Sequence, residues 1–219
     1  MKTPFTKEQF FDVFRDYNLA IFPCQFLLIM LAFLSVLLVV KRIRTSNRFA
    51  VFVLFFLWIW MGIVYHLNYF SKINNAAYIF GAAFILQSVL FLVFGIAKRK
   101  IKFHFRFDVY GITSIIIFSY ALLFYPLIGY HFNHIYPASP TFGLPCPTTI
   151  FTFGLLLIAD KKTPLLIFII PILWSIIGLS AAINFGVAED FGLIISGFLA
   201  FSMFLYRKKE TNQKPVNVF

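Results

Sequence analysis

The sequence predicts an all-α integral membrane protein with seven transmembrane helices. Of its 219 residues, 61% are hydrophobic and only 12% are charged, and the mean hydropathy is +0.87. Soluble domains carry about 25% charged and about 45–50% apolar residues, so this chain has too few polar residues to cover a soluble core. The charged residues are also clumped, which leaves long uncharged runs between short basic segments.

The uncharged runs have the lengths of membrane-spanning helices. A helix needs about 20 mainly apolar residues to cross a hydrocarbon core of about 30 Å. Four runs fit one span each, and the last, 191–206, is completed by residues 187–190. The run 109–159 is long enough for two spans. The six runs are 17–40, 49–71, 73–97, 109–159, 163–188 and 191–206.

The basic residues predict the topology. Most of the 19 Lys and Arg residues lie in four clusters, at 41–48, 98–106, 161–162 and 207–214. Such clusters mark the cytoplasmic side of a membrane, so an even number of crossings must separate each from the next. This condition gives seven crossings, with the N-terminus outside and the C-terminus in the cytoplasm. We therefore assign the net charge of +11 to topology in a bacterial inner membrane, and expect the lipid bilayer, not nucleic acid, as partner.

The chain divides into six segments along this topology. Thr6-Lys7-Glu8-Gln9 matches a capping box, and the aromatic residues after it predict an amphipathic helix in the outer interface. The predicted segments are 1–18 (outer interfacial helix), 19–97 (helices one to three), 98–128 (basic loop and linker helix four), 129–147 (outer loop), 148–206 (helices five to seven) and 207–219 (cytoplasmic tail).

The predicted fifth helix is too short to cross the hydrocarbon core alone. From Pro147 to Ala159 a helix is about 20 Å long, roughly 10 Å less than the core requires. Extended chain at 140–146 must then dip inward, and such backbone is tolerated only when it is buried in protein or lines a wet cavity. We therefore expect a helix with a sunken outer end beneath an outward-facing vestibule.

The two halves of the chain share a spaced pattern that predicts a parallel 3+1+3 repeat. In each half Leu-Trp is followed by Gly four residues after the Trp and by Asn ten residues after it. The matching positions are Trp58, Gly62 and Asn68 in one half and Trp174, Gly178 and Asn184 in the other. In topology and repeat, the architecture resembles the seven-helix sugar-transporter and PQ-loop proteins, with helix four as the linker.

A second resemblance covers nearly the whole chain. The segments WIWMGIVYHLNYFSKINNAAYIFGAAFILQ and FGLPCPTTIFTFGLLL, with Trp60, His66, Gln87 and the Pro145-Cys146-Pro147 turn, resemble an uncharacterised bacterial multi-pass family, domain of unknown function family 6064. The resemblance implies a membrane protein and no particular activity.

The leading functional hypothesis is a small-molecule transporter or permease without a cofactor, and not an enzyme. Ionisable residues inside a bilayer mark proton relays and ion paths, and the sequence predicts none there, because Glu189 and Asp190 fall in an outer connection. A neutral or soft ligand is therefore expected, and a homo-oligomer is compatible with the sequence. The predicted ligand-binding residues are Trp58, His66, Asn68, Gln87, Cys146, Trp174 and Asn184.

Two alternatives stay open. His66, His131, His134 and Cys146 share the outer face, where they could bind Cu or Zn or ligate haem in a redox enzyme, although interfacial histidines are also ordinary membrane anchors. Cys24 lies on the same face as Cys146, so a disulfide between them is a further alternative. The last alternative is a structural or assembly protein without a ligand.

Overall fold

The computed structural model of the protein describes residues 4–213, with side chains described for residues 4–209. Within that part of the chain the fold is helical, and the only extended pairing consists of two isolated β-bridges. The α-helices of this part are α1 (Lys7–Ile21), α2 (Cys24–Val40), α3 (Ser46–Trp60), α4 (Ala77–Phe91), α5 (Val109–Ser119), α6 (Tyr125–His131), α7 (Pro145–Leu157), α8 (Leu166–Phe185) and α9 (Phe191–Gln213).

The helical structure confirms the predicted all-α class, and several helices have the length and composition of membrane spans, whereas the number of seven spans stays a prediction. Five continuous stretches are long and apolar enough to cross a bilayer, and the bent pair of α1 and α2 would make a sixth. α7, with 13 residues, is apolar but shorter than a span. The five stretches are Ser46–Lys72, Ala77–Ala97, Val109–His131, Leu166–Phe185 and Ala188–Lys209.

Three of the long helices contain π-helical turns, at Met61–Leu67, Leu92–Ala97 and Tyr120–Phe124. The third has a clear local cause. Pro126 lacks an N–H, and its ring would clash with the carbonyl four residues earlier in a regular helix. The wider turn before it lets the chain continue into α6 instead of breaking.

α1 begins at the predicted capping box. The Gln9 backbone N–H donates to the Thr6 hydroxyl at 3.3 Å, and the Thr6 N–H donates to the Gln9 side chain at 2.9 Å. α1 then turns by 86° into α2 and buries Phe10, Phe14 and Tyr17 against the bundle. Residues 1–3 of the predicted 1–18 segment lie outside the described residues. So do residues 214–219 of the predicted tail, whose first part continues α9.

α7 forms the centre of the bundle. All its residues except Cys146 are buried, and it packs against α5, α8 and α9. The Trp58 indole N–H donates to the Thr152 hydroxyl at 3.0 Å, and the Ser114 hydroxyl donates to the Gly154 carbonyl at 2.7 Å. The short helix predicted from the sequence is thus enclosed by protein along its length.

The basic clusters meet at one end of the bundle, which we call the basic end. The Arg42 guanidinium donates to the Phe105 carbonyl at 2.7 Å, the His104 N–H donates to the Ile158 carbonyl at 2.9 Å, and Arg207 donates to the Ala159 carbonyl. Through residues in or next to each cluster, these bonds bring the four clusters to one end, as the sequence argument for a common side requires. We call the opposite end, where α1 lies, the α1 end.

The two predicted three-helix units pack in different orders. α3 packs between α2 and α4, which barely touch each other, whereas α9 packs against both α7 and α8. The matching tryptophans also differ, because Trp58 is fully buried in the core and Trp174 lines a cavity. The packing therefore gives the 3+1+3 repeat no support, and the repeat stays a prediction.

Gly143 and Gly186 offer a matched test of packing at the α1 end. Both have positive φ, 100° and 77°, so an Ala at either position costs about 1–2 kcal/mol in backbone conformation. Only at Gly143 would the added methyl overlap a buried side chain, that of Leu28, which adds about 1–3 kcal/mol. We expect Gly143→Ala to lower the melting temperature in detergent more than Gly186→Ala, and equal shifts would contradict the packing of Leu28.

Candidate functional site

A cavity of about 230 Å³ lies at the α1 end, above the start of α7. Its walls are mainly aromatic and aliphatic, and they come from α1, the π-helical turn after α3, α4, α6, α7 and α8. We call it the α1-end cavity. Its lining residues are Pro4, Phe5, Phe10, Phe14, Tyr65, Phe70, Asn74, Phe80, Tyr125, Pro140, Leu144, Pro145, Cys146, Pro147, Trp174, Ile177, Gly178, Ser180, Ala181, Asn184, Phe185 and Asp190.

The N-terminal half of α1 covers this cavity with phenylalanine rings. The Phe10 ring stacks on Phe185 of α8 at 4.7 Å between centroids and meets Phe14 edge to face at the same distance. Phe5 stacks on Phe185 at 5.2 Å. The amphipathic pattern seen in the sequence therefore places its apolar face over the cavity.

One corner of the cavity is polar. The Tyr125 hydroxyl donates to Asp190 Oδ1 at 2.5 Å, and the Cys146 thiol is a hydrogen-bonding neighbour of the same carboxyl. The Trp174 N–H has no nitrogen or oxygen partner and lies beside the Cys146 sulfur. An acid, a hydroxyl, a thiol and an indole N–H thus meet at the wall of an apolar chamber.

The neighbouring acid, Glu189, is paired. His134 Nδ1 lies 2.8 Å and 3.1 Å from the two Glu189 carboxylate oxygens, and the side chains are 9% and 0% exposed. The Tyr120 hydroxyl donates to the Glu189 carbonyl at 2.7 Å. This pair fastens the segment after α6 to the short turn before α9.

Both acids were missed as site residues by the sequence analysis. Glu189 and Asp190 do lie in the predicted connection, the short turn between α8 and α9, but both are buried in the protein, with relative exposures of 0% and 3%. The available signal was their position in an otherwise apolar stretch, since acids in such a stretch are functional candidates. Tyr125 carried no signal in a chain with 10 tyrosines.

His66 lies beside the cavity but does not line it. It is fully buried, and neither ring nitrogen has a hydrogen-bond partner. Its ring packs against Phe84 at 4.7 Å and Trp174 at 5.2 Å between centroids. This environment is that of an aromatic packing residue.

The structure brings only three of the seven predicted ligand-binding residues to the cavity. Cys146, Trp174 and Asn184 line it, with Asn184 exposed at its rim. Trp58 and Gln87 are buried elsewhere in the core, where the Gln87 amide donates to the Ile167 carbonyl at 3.0 Å. Asn68 is exposed and lines no part of the cavity.

The predicted metal ligands are not brought together. His66 is enclosed by rings, His134 bonds to Glu189, and His131 is exposed. Among the described residues, no three His, Cys, Asp or Glu side chains are grouped so as to hold a metal ion. Cys24 and Cys146 are both free thiols.

Comparison with known proteins gives one match. Residues 7–214 match a family described as "Family of unknown function (DUF6064)". No curated protein and no solved structure matches the chain.

Replacing His66 or His134 by Phe should change the free energy of unfolding in different directions. His66→Phe removes two unpartnered buried nitrogens, so we expect the free energy of unfolding to stay unchanged or to rise by about 1 kcal/mol. His134→Phe leaves Glu189 buried without its partner, and we expect a loss of about 3–5 kcal/mol.

The two variants are compared by thermal unfolding in detergent, together with elemental analysis and an absorption spectrum of the purified protein. A stoichiometric metal or a Soret band that disappears in His66→Phe would contradict the packing role assigned to His66.

Proposed function

We propose that this chain, which belongs to the family of unknown function DUF6064, is a multi-pass membrane protein that binds a small molecule in the α1-end cavity. The family description assigns no activity, so the proposal rests on the cavity itself. Ligand sites are concave, mainly apolar and furnished with a few convergent polar groups. The observation that carries the proposal is the aromatic chamber of about 230 Å³ with Asp190, Tyr125 and Cys146 in one corner.

We further propose seven crossings, with the α1 end outside a bacterial cytoplasmic membrane. The meeting of the four basic clusters at the other end supports this sidedness. The path of α7 supports a crossing, since it runs from Cys146 at the cavity to the segment bonded to the basic end at Ala159. The 86° turn between α1 and α2 suits one helix in the interface and one across the bilayer.

We also propose that the protein acts like a permease and carries the bound molecule across the membrane. The cavity ends at the first turn of α7, and the core around that helix is closed by aromatic packing. The Trp58 ring lies 4.6 Å from Phe84 and 6.2 Å from Phe91 between centroids. Passage of a ligand toward the basic end would require this layer to open, whereas binding requires no such change.

Filling the cavity should abolish binding without unfolding the protein. Ala181 lines the cavity on α8, whereas Ile183 on the same helix is 66% exposed. We expect some compounds in a panel of small amines, alcohols and aromatic solutes to raise the melting temperature of the wild type. Ala181→Phe should remove that shift and Ile183→Phe should keep it, because only the first fills the chamber.

Loss of the shift in both variants, or in neither, would contradict the assignment of the cavity. No shift with any compound across the panel would count against ligand binding itself.

Cysteine labelling tests the proposed sidedness. Thr45 at the basic end and Ile135 at the α1 end are both exposed and uncharged, so single cysteines there leave the basic clusters intact. In a Cys24→Ala, Cys146→Ala background, we expect an impermeant maleimide to label Ile135→Cys in intact cells and Thr45→Cys only after lysis. The reverse pattern would overturn the orientation.

A further inference from the structure

We propose that the α1-end cavity selects a small organic cation, an apolar amine or quaternary ammonium compound, with Asp190 as its counter-charge. This inference rests on the proposed function and adds the chemical class of the ligand. Its starting observation is an asymmetry between two consecutive buried acids, of which only Glu189 is bonded to a basic side chain, the His134 ring.

Glu189 and Asp190 differ in what surrounds them. Glu189 is bonded to the His134 ring at 2.8 Å. Within residues 4–209, the Asp190 carboxyl has the Tyr125 hydroxyl at 2.5 Å and the Cys146 thiol as its only hydrogen-bonding neighbours. Across residues 4–209, no Lys, Arg or His side chain forms an ion pair with Asp190. A buried carboxylate without a counter-charge is costly, and this one lies at the wall of a chamber that a ligand could enter.

The remaining walls suit a cation. Aromatic faces attract a positive charge within about 6 Å of the ring centre, most strongly when it is desolvated, and this is how proteins hold quaternary ammonium groups. The cavity presents Trp174 and Phe80, which meet edge to face at 5.5 Å, with Tyr65 stacked on Phe70 at 5.8 Å. All four rings line the same chamber as Asp190.

Other ligand classes fit these walls less well. An anion would meet the Asp190 carboxyl, and a neutral apolar molecule would leave that carboxyl without a counter-charge. A metal ion needs several ligands, and no group of three His, Cys, Asp or Glu side chains exists in the described part of the chain. The Trp174 N–H, which has the Cys146 sulfur as its neighbour and no nitrogen or oxygen partner, further suits a ligand with a hydrogen-bond acceptor beside its cationic group.

The test compares cations with their uncharged isosteres on the whole purified protein. The pairs are choline with 3,3-dimethylbutan-1-ol, and phenyltrimethylammonium with tert-butylbenzene, in which carbon replaces the charged nitrogen. Binding is measured by calorimetry and by the shift in melting temperature. We expect each cation to bind at least about tenfold more tightly than its isostere.

Asp190→Asn keeps an acceptor for the Tyr125 hydroxyl and removes the charge. We expect it to abolish the preference for the cation while the isosteres bind as before. The matched control is Asp160→Asn, which removes a carboxyl that pairs with His104 at the basic end and should leave the preference unchanged. If Asp190→Asn does not fold, Trp174→Leu should reduce the preference severalfold, because it removes one ring from the wall.

The outcomes separate the two proposals. Equal binding of cation and isostere by the wild type overturns the cationic ligand and leaves the cavity as a binding site. Binding of neither member of any pair, with no shift in the wider panel, overturns both. A preference for cations that survives Asp190→Asn contradicts the role of Asp190.

Discussion

The burial of a 13-residue helix on every side is the constraint on which the rest of the structure depends. α7 is too short to reach across a bilayer, yet its backbone needs no contact with lipid because the neighbouring helices enclose it. Two of its groups are bonded to neighbouring helices, the Thr152 hydroxyl and the Gly154 carbonyl. Its first turn forms the floor of the α1-end cavity, and its last turn is followed by the chain that bonds to the basic end. The depth of the cavity is therefore a consequence of the length of this helix.

The electrostatics of the α1 end follow from placing two acids where the chain turns into α9. Adjacent residues in a tight turn point in different directions, so Glu189 reaches the segment after α6 while Asp190 lines the cavity. Glu189 is bonded to His134 and so holds these two segments together. Asp190 has neutral donors only, in the described part of the chain, and so remains available to a ligand. One dipeptide thereby supplies both a structural tie and a recognition group.

Much of the fold could be predicted from the sequence because it depends on local patterns. The capping box at Thr6 and the apolar helices depend on neighbouring residues, and the structure contains both. The basic clusters lie together at one end, while the seven crossings and the orientation stay proposals. The site could be predicted only in part. Cys146 and Trp174 were found, but Asp190 and Tyr125 were missed because their proximity arises from packing between distant segments. In the sequence, Trp58 and Gln87 cannot be distinguished from residues that line a cavity. Only the tertiary structure shows that they bond to Thr152 and Ile167 in the core.

α1 is fastened to the bundle unequally along its length. Near its C-terminal end, the Asn18 amide donates to the Pro137 and Ser139 carbonyls at 2.6 Å and 2.8 Å, and the Tyr17 hydroxyl donates to the Gly143 carbonyl at 3.1 Å. Its N-terminal half packs over the chamber through aromatic contacts, as between Phe10 and Phe185. If the N-terminal half of α1 moved away from the cavity, its phenylalanine rings would be exposed to solvent. Contact of these rings with the membrane surface would lower the free energy of that exposure. Under the proposed topology, lipid composition at the membrane surface would therefore affect how readily a ligand enters the cavity.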